Sequence, residues 1–391
     1  MKKGWEIKKL GEVCEFENGD RGVNYPSKAH RTETGLPFIN AGHLTSDGLD
    51  LDSMDYISRE RYNLLGSGKI KKGDILFCLR GSLGKFAKIQ EFSEGAIASS
   101  LVIVRPKLKV TSDFVMHYFE SKICSDMIAD FGNGAAQPNL SAGSLKNFEI
   151  PLPSLPEQQR IVVILNEVFE AIAKAKANAE QNLRNSKELF ESYLQNVFET
   201  KGEGWEEKNF EDCFKLKSGD GLTSKNMSEN GEYPVFGGNG IAGLHNNFNL
   251  SGSNIIIGRV GALCGNVRHI TENIWLTDNA FKVVGLKFDY DHSFLTYLLN
   301  YKNLRSFARQ AAQPVISNSS LKNVALEFPK SLKEQQNIAQ KLDVLLLETK
   351  KLEAIYKQKI NDLEELKKSV LQKAFAGELK EDLKEHFAEN A

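Results

Sequence analysis

The sequence repeats itself, and this repeat constrains the possible folds more than any other feature of the chain. Three short blocks recur in the same order. Gly-Trp-Glu at residues 4–6 returns at 204–206, Ala-Ala-Gln-Pro at 135–138 returns at 311–314, and Glu-Gln-Gln at 157–159 returns at 334–336. The offset falls from 200 residues to 176 and then stays near 177. This indicates a tandem duplication whose copies differ in length at first and match afterwards.

The matching segments carry a heptad seam, in which apolar or small residues alternate at steps of four and three. The first seam is Ile161, Leu165, Val168, Ile172, Ala175, Ala179, Asn182, Ser186, Leu189 and Tyr193. The second is Ile338, Leu342, Leu345, Thr349, Leu352, Tyr356, Lys359, Leu363, Leu366 and Val370. Each helix should span about 43 residues, or roughly 65 Å. The small centre of the first seam complements the larger centre of the second, which predicts an antiparallel coiled coil. The alternative is two helices, each buried against its own domain.

The segments before the helices are rich in short β-prone runs, such as residues 74–79 and 254–257, punctuated by glycines. The predicted fold class is therefore α+β. We expect two tandem β-rich mixed domains, separated by two long helices that form an antiparallel coiled coil with pseudo-two-fold symmetry. The predicted boundaries are 1–152 for domain 1, 153–200 for helix 1, 201–329 for domain 2 and 330–391 for helix 2 with its tail.

Composition excludes several classes of protein. The 391 residues carry 50 Lys and Arg against 51 Asp and Glu, so the chain is not uniformly basic. A hydrophobic content of 41% argues against wholesale disorder. The five cysteines form no Cys-x-x-Cys pair, which argues against a zinc ribbon or a secreted disulfide scaffold. No apolar run approaches the ~20 residues that a membrane span requires. We expect a soluble cytoplasmic protein with no membrane partner.

Familiar catalytic motifs are missing. The turn at residues 80–85 ends like a phosphate-binding loop, but Leu79 stands where the first glycine is needed. The glycine-rich stretch at 236–240 lacks a surrounding βαβ pattern, so we interpret it as a surface loop. No His-Glu-x-x-His or Gly-x-Ser-x-Gly motif occurs. The sequence predicts no catalytic residues, no metal site and no cofactor.

Both copies instead place basic and polar residues in a glycine turn after an apolar strand, and amides in the loop around Gln-Pro. Guanidinium groups suit phosphate oxygens and guanine edges, and amides suit adenine edges. The candidate DNA contacts are Arg80, Ser82, Lys85, Lys88, Gln137 and Asn139 in the first copy, and Arg259, Asn266, Arg268, Gln313 and Asn318 in the second. The alternative is that the arginines brace their own domains. Gln137 and Gln313 are identical in the two copies and so are poorly suited to read different sequences, which favours structural turns.

Apolar residues off the heptad seams are candidates for binding a partner. They are Phe190, Leu194, Phe198, Leu371 and Phe375. Phe198 and Phe375 lie at equivalent ends of the two copies, so the duplication predicts two similar docking surfaces. The alternative is that these residues pack under the globular domains of the chain itself.

The chain resembles the specificity subunits of type I restriction–modification systems over nearly its whole length. The resemblance rests on the opening at residues 4–11 with its echo at 204, the glycine turn at 74–85, the Pro-Leu-Pro-Ser-Leu-Pro-Glu-Gln-Gln-Arg-Ile segment at 151–161, and the segment at 371–379. The second copy departs from it in having Pro-Lys-Ser at 329–331 in place of the proline-rich version.

The resemblance implies two target-recognition domains that each read one half of a split double-stranded DNA site. It implies that two modification subunits bind the helices to form an N6-adenine methyltransferase, and that restriction subunits join to use ATP and cleave DNA. Two alternatives stay open: a lone DNA-binding or scaffold protein, and a nuclease with an unrecognised site. Co-purification with a methyltransferase separates the first from the resemblance, and metal-dependent cleavage by the isolated chain would favour the second.

Overall fold

A computed structural model of the chain describes residues 2–45, 48–131, 139–309 and 313–379. The chain divides into two compact units. Unit 1 comprises Met1–Ala179 and Gln358–Ala391, and unit 2 comprises Glu180–Lys357. Gln137 and the rest of the first Gln-Pro loop lie outside the described residues.

The elements that precede the first long helix are short. The strands are β1 (Glu6–Lys9), β2 (Cys14–Asn18), β3 (Arg31–Thr32), β4 (Leu36–Ile39), β5 (Leu44–Thr45), β6 (Gly48–Leu49), β7 (Tyr56–Ile57), β8 (Ile75–Cys78), β9 (Phe86–Lys88), β10 (Ala96–Ile97), β11 (Leu101–Pro106) and β12 (Glu149–Leu152). The helices are α1 (Leu10–Val13), α2 (Arg59–Leu64), α3 (Ser112–Glu120), α4 (Lys122–Phe131), α5 (Ala142–Lys146) and α6 (Leu155–Thr200).

The rest of the chain contains fewer elements and also ends in a long helix. Its strands are β13 (Trp205–Asn209), β14 (Lys215–Ser218), β15 (Tyr233–Gly237), β16 (Gly240–His245), β17 (Asn254–Gly258), β18 (Val267–Ile270), β19 (Trp275–Leu276), β20 (Ala280–Val284) and β21 (Ala325–Pro329). Its helices are α7 (Phe210–Cys213), α8 (His292–Tyr301), α9 (Asn318–Leu321) and α10 (Leu332–Ala376).

The main sheet of unit 1 is antiparallel, with the order β2-β11-β8-β9. Strand β8 is apolar along its whole length because both of its faces are covered. Ile75 and Phe77 pack in one core with α3 and α6, whereas Leu76 and Cys78 pack in a second core. The β8–β9 turn therefore follows a strand that is packed against a core on each of its faces.

Unit 2 repeats this arrangement in an antiparallel sheet of order β14-β20-β17-β18. Ile255 and Ile257 pack with α8, and Ile256 packs with the smaller sheet β16-β15-β19. In each unit the first strand pairs with the strand that precedes the long helix, as β1 does with β12 and β13 does with β21.

The two long helices pack together in antiparallel directions. In unit 1, Lys176 near the middle of α6 forms an ion pair with Glu364 on the later half of α10. In unit 2, Phe190 and Leu194 on the later half of α6 share a core with Leu342 on the early half of α10. The predicted α+β class, with two tandem domains and two long antiparallel helices, is confirmed.

The buried stripe of α6 departs from the predicted seam. Leu165 is fully buried, as expected, but Leu189 is 51% exposed and Tyr193 is 36% exposed. A straight helix drifts by about 20° per heptad relative to a heptad seam. The four heptads from Leu165 to Tyr193 thus accumulate about 80°, close to the 100° that separates neighbouring residues. The buried stripe accordingly moves one residue along, to Phe190 and Leu194.

Three of the five off-seam residues do not face solvent. Phe198, Leu371 and Phe375 are at most 4% exposed, and Phe190 and Leu194 are half-buried against the core of unit 2. The Phe198 ring stacks on Tyr301 at 5.0 Å, and the Phe375 ring lies 5.1 Å from Phe114. The burial of Phe198, Leu371 and Phe375 favours the alternative that they pack under the globular domains of the chain itself.

Three further features bear on the function. All five cysteines are buried and unpaired. Among the helices of the described residues, none combines the length and the apolar composition that crossing a membrane requires. The predicted domain boundaries stay a prediction, because the compact units divide the chain differently, each taking part of both long helices.

Candidate nucleic-acid interface

The glycine turn of unit 1 joins β8 to β9 and projects from the edge of the main sheet. Its frame is set by two backbone hydrogen bonds: Cys78 N–H donates to the Lys85 carbonyl at 2.7 Å, and Gly84 N–H donates to the Cys78 carbonyl at 3.1 Å. Gly84 has φ +82°, a left-handed conformation that glycine adopts without strain. The turn therefore presents its side chains from a fixed backbone.

The segment after the Gln-Pro loop pairs with this turn. Leu140 N–H donates to the Leu79 carbonyl at 3.0 Å, and Arg80 forms an isolated β-bridge with Asn139. The Arg80 Nε–H donates to Asn139 Oδ1 at 3.1 Å, and both residues are exposed. The structure thus brings two sequence-predicted candidates into direct contact on one surface of unit 1.

Unit 2 builds the same frame from the β17–β18 turn. Gly258 N–H donates to the Asn266 carbonyl at 3.0 Å, and Gly265 N–H, at φ +88°, donates to the Gly258 carbonyl at 2.8 Å. Ile316 N–H, after the second Gln-Pro loop, donates to the Arg259 carbonyl at 2.9 Å. The bonds match those of unit 1 one for one, so they define which residues are equivalent.

This equivalence shows that Arg80 and Arg259 do not occupy the same position in the two turns. Arg259 corresponds to Leu79. The Arg259 N–H donates to the Asn279 carbonyl, and the Leu79 N–H donates to the Ser100 carbonyl in the same way. Arg80 therefore corresponds to Val260. The second turn is one residue longer between Gly258 and Gly265 than the first is between Cys78 and Gly84.

Arg259 consequently points toward its own domain. Its guanidinium lies over the Phe281 ring at 5.2 Å, and Nη1 donates to Ser218 Oγ at 3.4 Å and to the Asp278 carbonyl at 3.3 Å. These contacts favour the alternative that Arg259 braces the domain. Arg80, by contrast, is exposed, and its Nε donates to Asn139.

The remaining candidates of unit 1 differ in their accessibility. Lys85 is exposed and Ser82 is half-buried. The Lys88 ammonium is 2.6 Å from Asp113 on the first turn of α3, so its charge is already paired inside the domain. Lys85 is therefore the more available cation of the two.

Several candidates of unit 2 are engaged internally. Asn318 accepts from Leu216 N–H at 3.2 Å and donates to the Leu216 carbonyl at 3.1 Å, which occupies its amide. The Arg268 guanidinium lies against Gly240, with Nη2 3.2 Å from where a Cβ would stand. Gln313 is exposed, and Asn266 is half-buried.

Sequence reasoning missed three exposed arginines beside the turns. Arg21 Nη2 donates to the Ser99 carbonyl at 3.4 Å, next to the strand edge that holds Leu79. In unit 2, Arg305 Nη1 donates to the Ala262 carbonyl within the turn, and Arg309 N–H donates to the Val315 carbonyl at 3.0 Å. The position of Arg309 directly before the second Gln-Pro loop was the signal available in the sequence.

The glycine-rich stretch at 236–240, expected to be a surface loop, supports the second turn. Asn239 Oδ1 accepts from Leu263 N–H at 2.9 Å. A Cβ at Gly238 would stand 2.0 Å from the Val260 carbonyl oxygen, so only glycine permits this contact. The stretch therefore contacts one side of the turn, and this contact excludes any residue larger than glycine at position 238.

In unit 2, His269 lies opposite Ile255, as Lys88 lies opposite Ile75 in unit 1. Ser253 Oγ lies 2.8 Å from His269 Nε2 and 2.7 Å from His292 Nδ1. Burial, together with the nearby His292, lowers the pKa of His269. The described residues contain no group of three or more His, Cys, Asp or Glu side chains that could hold a metal ion.

Comparison with known proteins gives consistent matches. Residues 2–181 and 202–365 match the family model of the type I restriction modification DNA specificity domain. The type I restriction enzyme EcoprrI specificity subunit of Escherichia coli is 30% identical over 214 residues, which span 51% of this chain and 52%, about half, of that protein. The StySPI specificity subunit of Salmonella potsdam is 24% identical over 439 residues, spanning 97% of this chain and 90% of that protein.

Two solved structures share the fold. A chain from a structure on complex assembly and conformational transition of the type I R-M system has a TM-score of 0.79 at 19% identity, covering 97% of this chain and 99% of that chain. The HsdS subunit from Thermoanaerobacter tengcongensis has a TM-score of 0.64, also at 19% identity, covering 97% of this chain and 98% of that chain.

Proposed function

The chain belongs to the family of type I restriction modification DNA specificity domains, and on this premise we propose that it is the specificity subunit of a type I restriction–modification complex. In this function the domain of each unit binds one half of a bipartite double-stranded DNA site. The chain catalyses no step and holds no cofactor. It directs N6-adenine methylation or cleavage by partner subunits in the cytoplasm.

One observation carries this proposal: the two units present different chemistry from the same backbone frame. The frame places Arg80 where unit 2 has Val260, Lys85 where it has Asn266, and Asn139 where it has Val315. Sequence is read by side chains held against base edges, whereas phosphate contacts fix the register. Identical frames with different side chains suit a protein that reads two different half-sites.

The accessible groups suit DNA. In unit 1 we assign Arg80, Lys85 and Arg21 to phosphates and Asn139 to a base edge or phosphate, with Ser82 beside them. In unit 2 we assign these roles to Gln313 and Asn266, together with Arg305 and Arg309. Phosphate neutralisation by such cations supplies much of the affinity of DNA-binding proteins, even in a chain of net charge −1.

We assign the docking of partners to the exposed apolar residues of the long helices. In unit 2, Leu189, Tyr193 and Val344 line one groove, and Leu347 nearby is 55% exposed. Exposed apolar surface of this kind is typical of protein interaction sites. Because the chain is duplicated, we propose two modification subunits per chain, with restriction subunits joining the assembly.

Methylome sequencing of a host that expresses the chain with its modification subunits tests the function. We expect N6-methyladenine at a bipartite motif with a single gap length, and loss of that methylation when the chain is deleted. Methylation that persists without the chain, or methyl transfer or metal-dependent cleavage by the isolated chain, contradicts the proposal.

Native mass measurement of the co-expressed complex tests the stoichiometry separately. Two modification subunits per chain are expected. A one-to-one complex contradicts the proposed stoichiometry but not the proposed role as a specificity subunit. The variant Val344→Glu should weaken docking because it places a charge in the apolar groove, and Glu348→Asp at the edge of the same groove is the matched control.

A further inference from the structure

Two glutamines from the repeated Glu-Gln-Gln blocks are completely buried. Gln158 lies in the first turn of α6 and Gln335 in the first turn of α10, and both are 0% exposed. Glutamine is mostly an exposed residue, because burying its amide costs free energy unless every polar atom finds a partner. Their neighbours Gln159 and Gln336 are exposed. The burial of one glutamine of each pair therefore needs a reason.

Gln158 ties three segments of unit 1 together. Its Oε1 accepts from Thr111 N–H at 3.0 Å, and its Nε2 donates to the Lys109 and Pro153 carbonyls, each at 3.0 Å. Thr111 is the N-cap of α3, whose hydroxyl in turn accepts from Phe114 N–H. One side chain of α6 thus bonds both to the segment at the start of α3 and to Pro153, just before α6 begins.

Gln335 makes the same three bonds in unit 2. Its Oε1 accepts from Asp291 N–H at 2.9 Å, and its Nε2 donates to the Asp289 carbonyl at 3.3 Å and the Pro329 carbonyl at 2.9 Å. Asp291 is the N-cap of α8. The duplication therefore preserves this junction between domain and helix, although the polar residues of the two glycine turns differ.

We infer that Gln158 and Gln335 are positioning residues that make the complex selective for the length of the gap between its half-sites. The inference rests on the proposed function. Each glutamine locks its domain to its long helix through bonds to rigid backbone on both sides, so neither domain can swivel at the junction.

DNA geometry shows why a swivel would matter. One extra base pair in the gap moves the second half-site by about 3.4 Å along the duplex and rotates it by about 35°. A domain that turned freely at its junction could follow such a rotation and would accept several gap lengths. Directional buried hydrogen bonds resist rotation in a way that apolar packing alone does not.

The test compares methylation at different gap lengths. The wild-type motif and its gap are first determined by methylome sequencing of cells that contain the whole complex. Methylation rates are then measured with the purified complex on duplexes whose gap is the wild-type length or one base pair shorter or longer. Gln158→Met keeps the length of the side chain and removes its hydrogen bonds, and Gln159→Met is the matched control on the exposed neighbour.

For Gln158→Met, which removes three buried hydrogen bonds, we expect the preference for the wild-type gap over its neighbours to fall at least about tenfold. The half-site sequences should be unchanged, and Gln159→Met should behave as wild type. An unchanged gap preference overturns the inference. So does a rate that falls by the same factor at every gap, since it shows a purely stabilising role.

Gln335→Met, with Gln336→Met as its control, repeats the experiment in unit 2 and replaces the first variant if that one does not fold. Gln158→Glu supplies a third variant, because it places a buried carboxylate oxygen against the Lys109 and Pro153 carbonyls; we expect its gap preference to fall at least as far as that of Gln158→Met, and a wild-type preference overturns the inference. Absence of any bipartite motif in the wild-type methylome contradicts the proposed function itself, which keeps the two failures distinguishable.

Discussion

Arg80 and Arg259 differ by one position in the shared frame of the glycine turns, and this decides what each guanidinium reaches. Arg80 extends from the turn beside Asn139, whereas Arg259 lies over Phe281 inside its domain. Both residues are recognisable from sequence as arginines that follow an apolar strand. The difference between them comes from an insertion of one residue, which only the backbone hydrogen bonds reveal.

Arg80→Ala should weaken DNA binding and reduce the slope of log affinity against log salt by about one, because one phosphate contact is lost. Unfolding of the protein should be unaffected, since Arg80 is exposed. Filter binding or fluorescence anisotropy over a salt series measures this effect. A wild-type affinity and slope in Arg80→Ala would assign the residue to bracing its own turn.

Arg259→Ala is the matched comparison at the equivalent turn of unit 2. It should lower the free energy of unfolding by about 1–2 kcal/mol through loss of the cation–π contact and two hydrogen bonds. The salt slope should remain that of wild type. Urea unfolding and the same salt series measure both effects, and a stable Arg259→Ala with a reduced slope contradicts this assignment.

His269 makes the stability of unit 2 dependent on pH. Its pKa is lowered by burial and by His292, while Asp291 and Asp343 oppose this in part. The unfolded chain, with a histidine pKa near ~6.5, binds the proton more readily than the folded chain. The stability that His269 contributes is therefore present above about pH 6.5 and is lost as the pH falls through that value toward the folded pKa.

Thermal unfolding at pH 7.5 and 5.5 measures this dependence. The unfolding temperature of wild type should fall on acidification, and that of His269→Asn should fall less. His30→Asn, at an exposed histidine of unit 1, is the control and should follow wild type. Equal falls for wild type and His269→Asn would show that the Ser253 network does not carry the effect.

At the scale of elements, the long helices were predictable from heptad spacing and matched length, but their buried face was predictable only in part. Leu165 lies on the predicted seam and is buried, whereas Leu189 lies on it and is exposed. The heptad pattern assumes supercoiling throughout, whereas a straight helix drifts away from the seam, and both halves of α6 also pack against a globular domain. Sequence periodicity does not record where one kind of packing gives way to the other.

Phe198→Ala should lower the free energy of unfolding by about 3–5 kcal/mol, because it removes a buried ring that contacts Phe294 and Tyr301. Leu189→Ala, nine residues earlier on the same helix and 51% exposed, should change it by less than about 0.5 kcal/mol. Urea unfolding followed by circular dichroism measures both. A stable Phe198→Ala that fails to bind modification subunits would restore Phe198 as a docking residue.

For the whole molecule, α6 and α10 each extend through both compact units, over 46 and 45 residues. If these helices set the gap between half-sites, its length should follow theirs. Seven residues inserted into each helix, between 179 and 180 and between 357 and 358, add about 10.5 Å, or roughly three base pairs. We expect the methylated motif to keep both half-sites and to have a longer gap.

A five-residue insertion at the same points is the control. It rotates the following helix by about 140°, whereas seven residues leave the helix faces within about 20° of their original direction. The five-residue variant should therefore lose bipartite methylation. A seven-residue variant that methylates the original gap shows that the helices do not act as a spacer.

The organisation of the whole chain was the most predictable part, because the repeated blocks indicate both the duplication and the length of the helices. The candidate interface was less accessible. Arg21 and Arg305 lie near the glycine turns only because the chain folds back on itself. No local sequence pattern predicts that proximity. Gln158 could be identified as a repeated residue, but its partners at Lys109 and Thr111 lie 49 and 47 residues away.

The burial of all five cysteines has a practical consequence for studying this molecule in solution. Burial raises the pKa of the Cys14 and Cys124 thiols to about 12 and also raises the pKa of Cys78, Cys213 and Cys264. Thiolates are the reactive form, so alkylating dyes should spare the native thiols in the folded chain. Cysteines introduced at exposed positions such as Leu108 and Ile241 can then carry a donor and an acceptor fluorophore without first replacing any native residue. Energy transfer between them would follow the separation of the two domains in real time, with and without DNA.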